Sequence, residues 1–423
     1  MLNHLSAIDA AFWIVFCTCL GALYWVYDGY GRCLQLLTTF RRTPGQSTQT
    51  PRSEHDEALL PSVSVLVTAH NEAGHIAKRI RNLQDCNFPA DRLEIVVAAD
   101  GCTDATCDIV RHLIRNRTST EPAIRLYESP GLGKTATQNG AIADIRADVI
   151  VFTDADVVFD HQFLRSAAGQ FLDPQVGAVA GHLLFAPPGE HAVISGQGFF
   201  WNYELKLRRL ETQLGLLAVV AGSCFALRRS LFVEMNPSIG EDCIVPLDVV
   251  NQGFRVVQDD NAVCFDQFEY GADVVWRKRI RMTLRNWQGT WLRSSLLNPF
   301  KSTGYAFALW SHKLGRWLSP VFLLGATISG IGLNAISPGP LTIGVLSPLV
   351  CFYLLAFVGW LTKARGIRIP GAATCFSFLL VNAAFFLGVV KALSGHQIHS
   401  YRNFLTSTRP DEATHTDSGR QAA

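Results

Sequence analysis

The chain has 423 residues, 48% hydrophobic and only 17% charged, against roughly a quarter charged in a soluble domain, which excludes a freely soluble enzyme and a disordered scaffold. Its 37 basic and 35 acidic residues leave a net charge of +2, so no chain-wide basic field exists to draw nucleic acid. The 11 cysteines form neither a zinc-type spacing nor a disulfide framework and read as reduced thiols of a cytosol-facing protein.

The first apolar run, Ala10 to Tyr27, approaches the ~20 residues of a bilayer span and exceeds a signal-peptide core. No Lys or Arg precedes it, whereas Arg32, Arg41 and Arg42 follow, so the positive-inside rule puts the N-terminus outside and the next segment in the cytoplasm. Residues 1–42 are therefore an N-terminal membrane helix with its juxtamembrane segment, and polar 43–60 is a linker. Between 61 and 275 the composition becomes globular. Val63 to Ala69 reads as a strand, Ala73 to Gln84 as a helix, Leu93 to Ala99 as a second strand, Thr103 to Leu113 as a helix and Val149 to Phe152 as a third strand. This rhythm predicts an α/β domain with a mostly parallel sheet and helices on both faces. Over 276–298, Trp276, Ile280, Leu284, Trp287 and Trp291 recur at helical spacing beside Arg277, Arg281 and Arg285. That pattern predicts an amphipathic helix lying on anionic lipid, the alternative being a core-facing helix with a solvated basic face. About three further membrane helices fill 311–395, with Lys363, Arg365 and Arg368 in an inner loop. Four spans put the polar tail 396–423 outside, mildly against Lys391 just before it and Arg402 and Arg409 within it.

Each strand ends in polar residues: His70-Asn71-Glu72, Asp100-Gly101-Cys102-Thr103-Asp104, and Asp154-Ala155-Asp156. In a parallel sheet these clusters converge on one crevice beyond the carboxyl ends of the strands. Any one of them could be a helix cap or a turn; three together point to a site. Two aspartates one residue apart can share Mg²⁺ or Mn²⁺, hard cations that bind oxygen and bridge phosphates. A metal there would stabilise a departing nucleoside diphosphate. Gly-Leu-Gly-Lys-Thr, ending at Thr135, is not a P-loop, because Glu128 stands where that motif requires its first glycine.

The segments SVLVTAHNEAGHI (64–76), IVVAADGCTDAT (95–106), GKTATQNGAI (133–142), FTDADV (152–157) and GEDCIVPL (240–247) together resemble the family 2 inverting glycosyltransferases. The closer resemblance is to their membrane-embedded synthase branch: the hyaluronan, chitin, cellulose and poly-N-acetylglucosamine synthases. It implies a nucleotide-diphospho-sugar transferase fold of GT-A-like, Rossmann-like type with transmembrane helices at both ends. By that resemblance Ala69, Glu72 and Asp100 line the nucleoside pocket, Lys134 lies near the nucleotide, Asp154 touches ribose or phosphate, and Asp156 ligates the metal with Asp154 beside it. Asp242 is the catalytic base with Glu241 next to it, and a base without a nucleophile means single displacement with inversion. Implied partners are a nucleotide-sugar donor, a polysaccharide or lipid-linked acceptor and membrane lipid, at the inner membrane of a bacterium.

One motif departs. The synthases' Gln-x-x-Arg-Trp, aligned on Trp287, puts Thr283 and Asn286 at the Gln and Arg positions. Arg285-Asn286-Trp287-Gln288 instead resembles a variant found in many exopolysaccharide glycosyltransferases. There Trp287 would cover the acceptor and Arg285 or Gln288 would contact the diphosphate. A transferase adding one sugar to a lipid fits as well as a processive synthase. An inactive nucleotide sensor is opposed by the intact Asp154, Asp156 and Asp242.

Overall fold

The computed structural model describes residues 7–40, 59–185, 193–266, 272–362 and 369–397. The linker residues 43–58, the inner-loop basic residues 363–368 and the tail residues Arg402 and Arg409 lie outside them. Four strands, β1 (Val63–Ala69), β2 (Leu93–Asp100), β3 (Ala123–Ser129) and β4 (Val149–Asp154), pair in parallel in the spatial order β3-β2-β1-β4. Helices α3 (Ile76–Gln84), α4 (Thr106–Asn116) and α5 (Lys134–Ala143) make the crossovers. The sheet continues through β7 (Cys224–Arg228), β6 (Val176–Phe185), β8 (Arg255–Asp266) and the two-residue β5 (Val158–Phe159), and here β4–β7, β6–β7 and β5–β8 pair antiparallel. β6 and β8 pair in parallel, so the sheet is mixed but mostly parallel, as expected. β3 is an element the hydrophobic pattern misses: apart from Ser129 it is half-buried or exposed, as an edge strand should be, so it shows no apolar run.

Both faces of the central strands are buried. Leu66, Val96, Ala98, Ile150 and Phe152 point into one core, and Val65, Val67, Ile95, Val97 and Val151 into the other. That is the pattern of a sheet covered on both sides. Phe152 and Phe225 lie opposite each other in the β4–β7 register and stack at 4.5 Å.

The N-terminal helix runs as α1 (Ala7–Tyr24), a π-helical turn Trp25–Gly29, and α2 (Tyr30–Phe40). A second long helix runs as α10 (Thr303–Ala308), a π turn Leu309–Leu314, and α11 (Gly315–Ile336). With α12 (Pro340–Thr362) and α13 (Ala372–Leu393), four helices among the described residues are long and apolar enough to cross a membrane. The first two have 34 residues each, about 50 Å at 1.5 Å per residue, against a hydrocarbon core of ~30 Å. The first is longer than its apolar run because it continues along the globular domain, where Tyr30 and Leu34 pack on Leu207 and Leu214 of α7 (Val193–Leu214). The two π turns face each other, Trp25 Nε1 donating to Ser311 Oγ at 3.0 Å.

The tryptophan-rich helix α9 (Ala272–Leu292) is where the lipid-surface expectation needs correction. Ile280, Leu284 and Trp287 are buried in protein, and a Cβ on Gly388 of α13 would lie 2.7 Å from the Thr283 side chain. The middle of the face expected to rest on lipid packs on α13 and on the globular domain, because backbone approach at glycine lets two helices close without a gap, whereas Trp276 is half-buried and Trp291 exposed.

Candidate active site

The chain leaves β1 toward β2 and β3 on one side and returns to place β4 on the other, so the switch in strand order lies at β1–β4, the place where such sheets bind ligands. In register, Thr68 of β1 faces Asp154 of β4. Asp100 closes β2 next to Ser129 of β3. Ala69, Glu72, Asp100, Lys134, Asp154 and Asp156 thus come to one sheet edge.

The loops at this edge brace one another. Asp100 Oδ1 accepts from Gly133 N at 3.1 Å and Thr137 Oγ1 at 2.8 Å. Asn71, with φ 58, accepts from Thr103 N at 2.8 Å. Asp104 holds Thr106 N and Oγ1 and the backbone N of Ala73, which makes Asp104 a structural carboxylate. Glu72 Oε2 meets His75 Nδ1 at 2.7 Å. Gly101 (φ +59) is required as glycine, because a Cβ there would stand 2.8 Å from the Gly131 Cα.

Opposite this edge stands α8 (Glu241–Asn251), whose N-cap is Gly240. Asp242 therefore lies in the first turn and does not cap the helix. A Cβ on Gly240 would come 2.5 Å from Asp242 Oδ1; the glycine leaves room for that carboxylate. Lys134 Nζ ties the two sides together, 2.6 Å from Asp154 Oδ1 and 2.6 Å from Glu241 Oε1. Burial opposes its charge, but Asp154 and Glu241 outweigh burial and the lysine is held above its ordinary range. Burial alone would raise Glu241; Lys134, then Arg285, bring it below the usual glutamate value. Asp242 goes the other way, raised by burial and next by the charge of Glu241. Two adjacent carboxyls are thus pushed apart in acidity, the arrangement expected where one must stay ionised and the other must exchange a proton.

Two cations support this frame. Arg285 of α9 bonds Ser238 O at 3.2 Å, Ile239 O at 2.8 Å and Thr135 Oγ1 at 2.8 Å, clamping the turn before Glu241 onto α5. The resemblance offered Arg285 or Gln288 to the diphosphate; in the structure Arg285 bonds the 238–239 turn and Thr135. Trp287 is 8% exposed and packs on Trp291 and Trp317, so its ring is held within the protein core. Gln288 Nε2 donates to His396 O at 2.7 Å, holding the segment after α13. Arg79 was missed altogether. It is 2% exposed, bonds Thr153 Oγ1 at 2.7 Å and Asn82 Oδ1 at 2.5 Å, and lies over the Phe159 ring at 4.0 Å. Burial pulls it down to about 10 and the Asp154 and Asp156 charges oppose that; it is a buried cation behind the Asp-x-Asp turn. Its signal in sequence was a charge on the apolar stripe of Ile76, Ile80 and Leu83.

Asp156 is exposed, and among the described residues no three His, Cys, Asp or Glu side chains gather as a preformed metal cage. That donor set fits a Mg²⁺-type ion, which usually takes one or two carboxylates and fills its remaining positions with water and phosphate oxygens.

Residues 64–235 match the Glycosyl transferase family 2 model. A probable glycosyltransferase YdaM of Bacillus subtilis strain 168 is 28% identical over 246 residues, 56% of this chain and 58% of that protein. An N-acetylglucosaminyltransferase of Rhizobium meliloti strain 1021 is 26% identical over 321 residues, 72% and 68% of the two chains. A β-monoglucosyldiacylglycerol synthase of Synechocystis is 26% identical over 182 residues, 41% and 38%. The match thus spans well under two thirds of the Bacillus and Synechocystis relatives. The mannosyltransferase PcManGT from Pyrobaculum calidifontis, solved with GDP-Man and Mn²⁺, superposes with a TM-score of 0.65 at 20% identity, covering 91% of this chain and 99% of that one. The chain is a GT-A-like α/β protein in which residues 64–235 match the glycosyl transferase family 2 model.

Proposed function

We propose that this protein is a membrane-bound inverting glycosyltransferase that moves a sugar from a nucleotide-sugar donor to a lipid or saccharide acceptor. The observation that carries the reading is the Lys134 bridge between Asp154 on the donor side and Glu241 beside Asp242. It joins the strand-end crevice to a buried carboxyl with a raised pKa. Relatives named for N-acetylglucosaminyl transfer and for glucosyldiacylglycerol synthesis support both acceptor classes, and four apolar helices support attachment to the bilayer.

In this reading Asp100, Ala69 and Glu72 border the nucleoside, with Asp100 already oriented by Gly133 and Thr137. Asp154 and Asp156 would hold Mg²⁺ or Mn²⁺, which supplies charge to the leaving diphosphate. When the donor enters, Lys134 has an alternative anion in the diphosphate. Asp242 takes the proton of the acceptor hydroxyl, a role suited to a carboxyl whose pKa lies nearer the working pH. Glu241 keeps its charge through Lys134 and holds the Asp242 pKa up. One base acting directly on the acceptor gives inversion in a single displacement.

The test is transfer by purified full-length protein with Mg²⁺ or Mn²⁺, labelled UDP-glucose, UDP-N-acetylglucosamine, UDP-galactose and GDP-mannose, and total lipid extract, with the products sized. A ladder from one donor establishes a processive synthase, and a single lipid-extractable product a one-sugar transferase. Nucleotide binding without product from any donor would favour the sensor reading.

A further inference from the structure

Helix α13 reaches from the apolar helices into the globular core. Near its start, Cys375 and Phe378 line an apolar groove with Leu323 of α11 and Leu349 and Phe352 of α12. Further along, Asn382 Oδ1 accepts from Ser319 Oγ at 2.5 Å. Phe385 and Val389 then join the buried cluster of Ile244, Trp287 and Trp317. Just past the helix end, His396 O accepts from Gln288 of α9 at 2.7 Å. As α13 approaches the globular domain, its neighbours on α11 step back from Leu323 to Ser319 to Trp317, so these two helices run in opposite directions. α12 also opposes α13: the Phe352 and Phe378 rings are 5.8 Å apart and Gly359 lies against Ala372. It opposes α11 as well, where Gly330 lies against Leu346 and Leu323 beside Leu349. Three helices cannot all be antiparallel to one another across one bilayer; one must lie across the others.

The helix that ends in the globular core is α13, and its outer face indicates what covers it. Ala383, Phe386, Val390 and Leu393 are exposed at spacings of three, four and three, a single stripe of a helix, while Asn382, Phe385, Gly388 and Val389 are buried. The stripe carries no charge. α12, packed on α13, is likewise exposed and apolar at Leu354, Phe357 and Leu361, so apolar surface passes from one helix to the next, and lipid rather than water suits it. The charges agree. Lys363, Arg365 and Arg368 precede α13 in the sequence, and Lys391, Arg402 and Arg409 stand at or after its end. A crossing helix would put one of these basic groups outside, against the positive-inside rule, whereas a helix with both ends on one side satisfies the rule twice.

We propose that α13 does not cross the bilayer. It is seated between the globular domain and the lipid, its Ala383–Leu393 stripe on the bilayer, and both its ends lie on the globular domain's side. α1, α11 and α12 then make three crossings, and the two ends of the chain lie on opposite faces of the membrane. The inference rests on the membrane-bound part of the proposed function and is independent of the sugar chemistry. It gives α13 the lipid contact that the tryptophan spacing led one to expect of α9, because α13 covers the middle of the α9 face.

The test places the same protease site beside an N-terminal epitope, beside a C-terminal epitope and after the exposed Thr118 of the globular domain, each in the full-length chain in sealed inside-out bacterial membrane vesicles. The C-terminal and Thr118 sites should be cleaved or spared together, and the N-terminal site should do the opposite. A C-terminal site that behaves unlike the Thr118 site means four crossings and overturns the proposal. Cleavage of all three would mean that the chain does not cross, which removes the membrane reading and this proposal with it; transfer activity is read in its own assay. The lipid seat is tested by Phe386→benzoylphenylalanine, which on illumination should crosslink labelled phospholipid several-fold more than the same residue at Thr118. Crosslinking no greater than at Thr118, or crosslinking of two copies of the chain instead of lipid, overturns the bilayer as the partner of the stripe.

Discussion

Asp242 and Glu241 are neighbours in the chain with opposite acidity, and the difference comes from what surrounds them. Asp242 is raised by burial and then by Glu241; Glu241 is lowered because Lys134 and Arg285 outweigh its burial. Asp242→Asn removes the proposed base, so turnover should fall by about 10²–10⁴ while donor binding, read by calorimetry, stays near wild type. Wild-type turnover in this variant would move the base elsewhere. A base must be deprotonated, so kcat/KM should rise with pH through the Asp242 pKa. Glu241→Gln deletes a charge that raises Asp242, and the acid limb of that profile should move to lower pH; an unmoved limb would mean that another group titrates. Stability follows linkage in the opposite sense for the two residues. Glu241, depressed in the fold, stabilises above its unfolded pKa and loses that contribution as pH falls through its folded value. Glu241→Gln should therefore lower the melting temperature more near neutrality than in acid.

At the scale of elements, the proposed base Asp242 is positioned by the start of α8 and by whatever holds that start in place. Gly240 leaves room for the Asp242 carboxylate, so Gly240→Ala should reduce kcat with little change in donor affinity, measured by steady-state kinetics. The Arg285 clamp joins α9, the 238–239 turn and α5. Hydrogen bonds from a charged group contribute roughly 1.5–3 kcal/mol each, and these are shared over a half-buried side chain. Arg285→Ala should lower the melting temperature and kcat together, whereas loss of a diphosphate contact alone would raise KM at unchanged stability. Gly101 and Gly131 work in the same way on the donor side, letting two loops touch through backbone.

At the scale of the molecule, the helices long and apolar enough to cross a membrane also pack on the globular domain. α9 packs on α13, α2 packs on α7, and Trp317 of α11 lies against Trp287. Gly388→Leu would push α13 off Thr283, so thermal stability in detergent and transfer activity should fall together. Retained activity with lowered stability would show that the sheath only anchors the domain. Phe152→Ala, in the core between β4 and β7, should cost about 3–5 kcal/mol, seen as a lowered unfolding midpoint.

How much was legible follows from which signals are local. Apolar runs of span length, strands ending in Asp and the spacing of five motifs are all short-range, so the membrane helices, β1, β2 and β4 and the polar strand ends could be read directly. β3 was hidden because an edge strand keeps polar residues. Arg79 was hidden because a buried cation looks like any helix arginine until Thr153, Asn82 and Phe159 surround it. The roles of Trp287, Arg285 and Gln288 depended on which face of α9 met α13 and the 238–239 turn, and periodicity gives a face without naming its partner. The sequence by itself determined the carboxylates and the apolar helices, because both are properties of residue type and spacing. Only the tertiary structure decided that Lys134 joins Asp154 to Glu241 and that α7 meets the second long helix through Glu204 and Arg316, because those contacts join segments 20 to 112 residues apart.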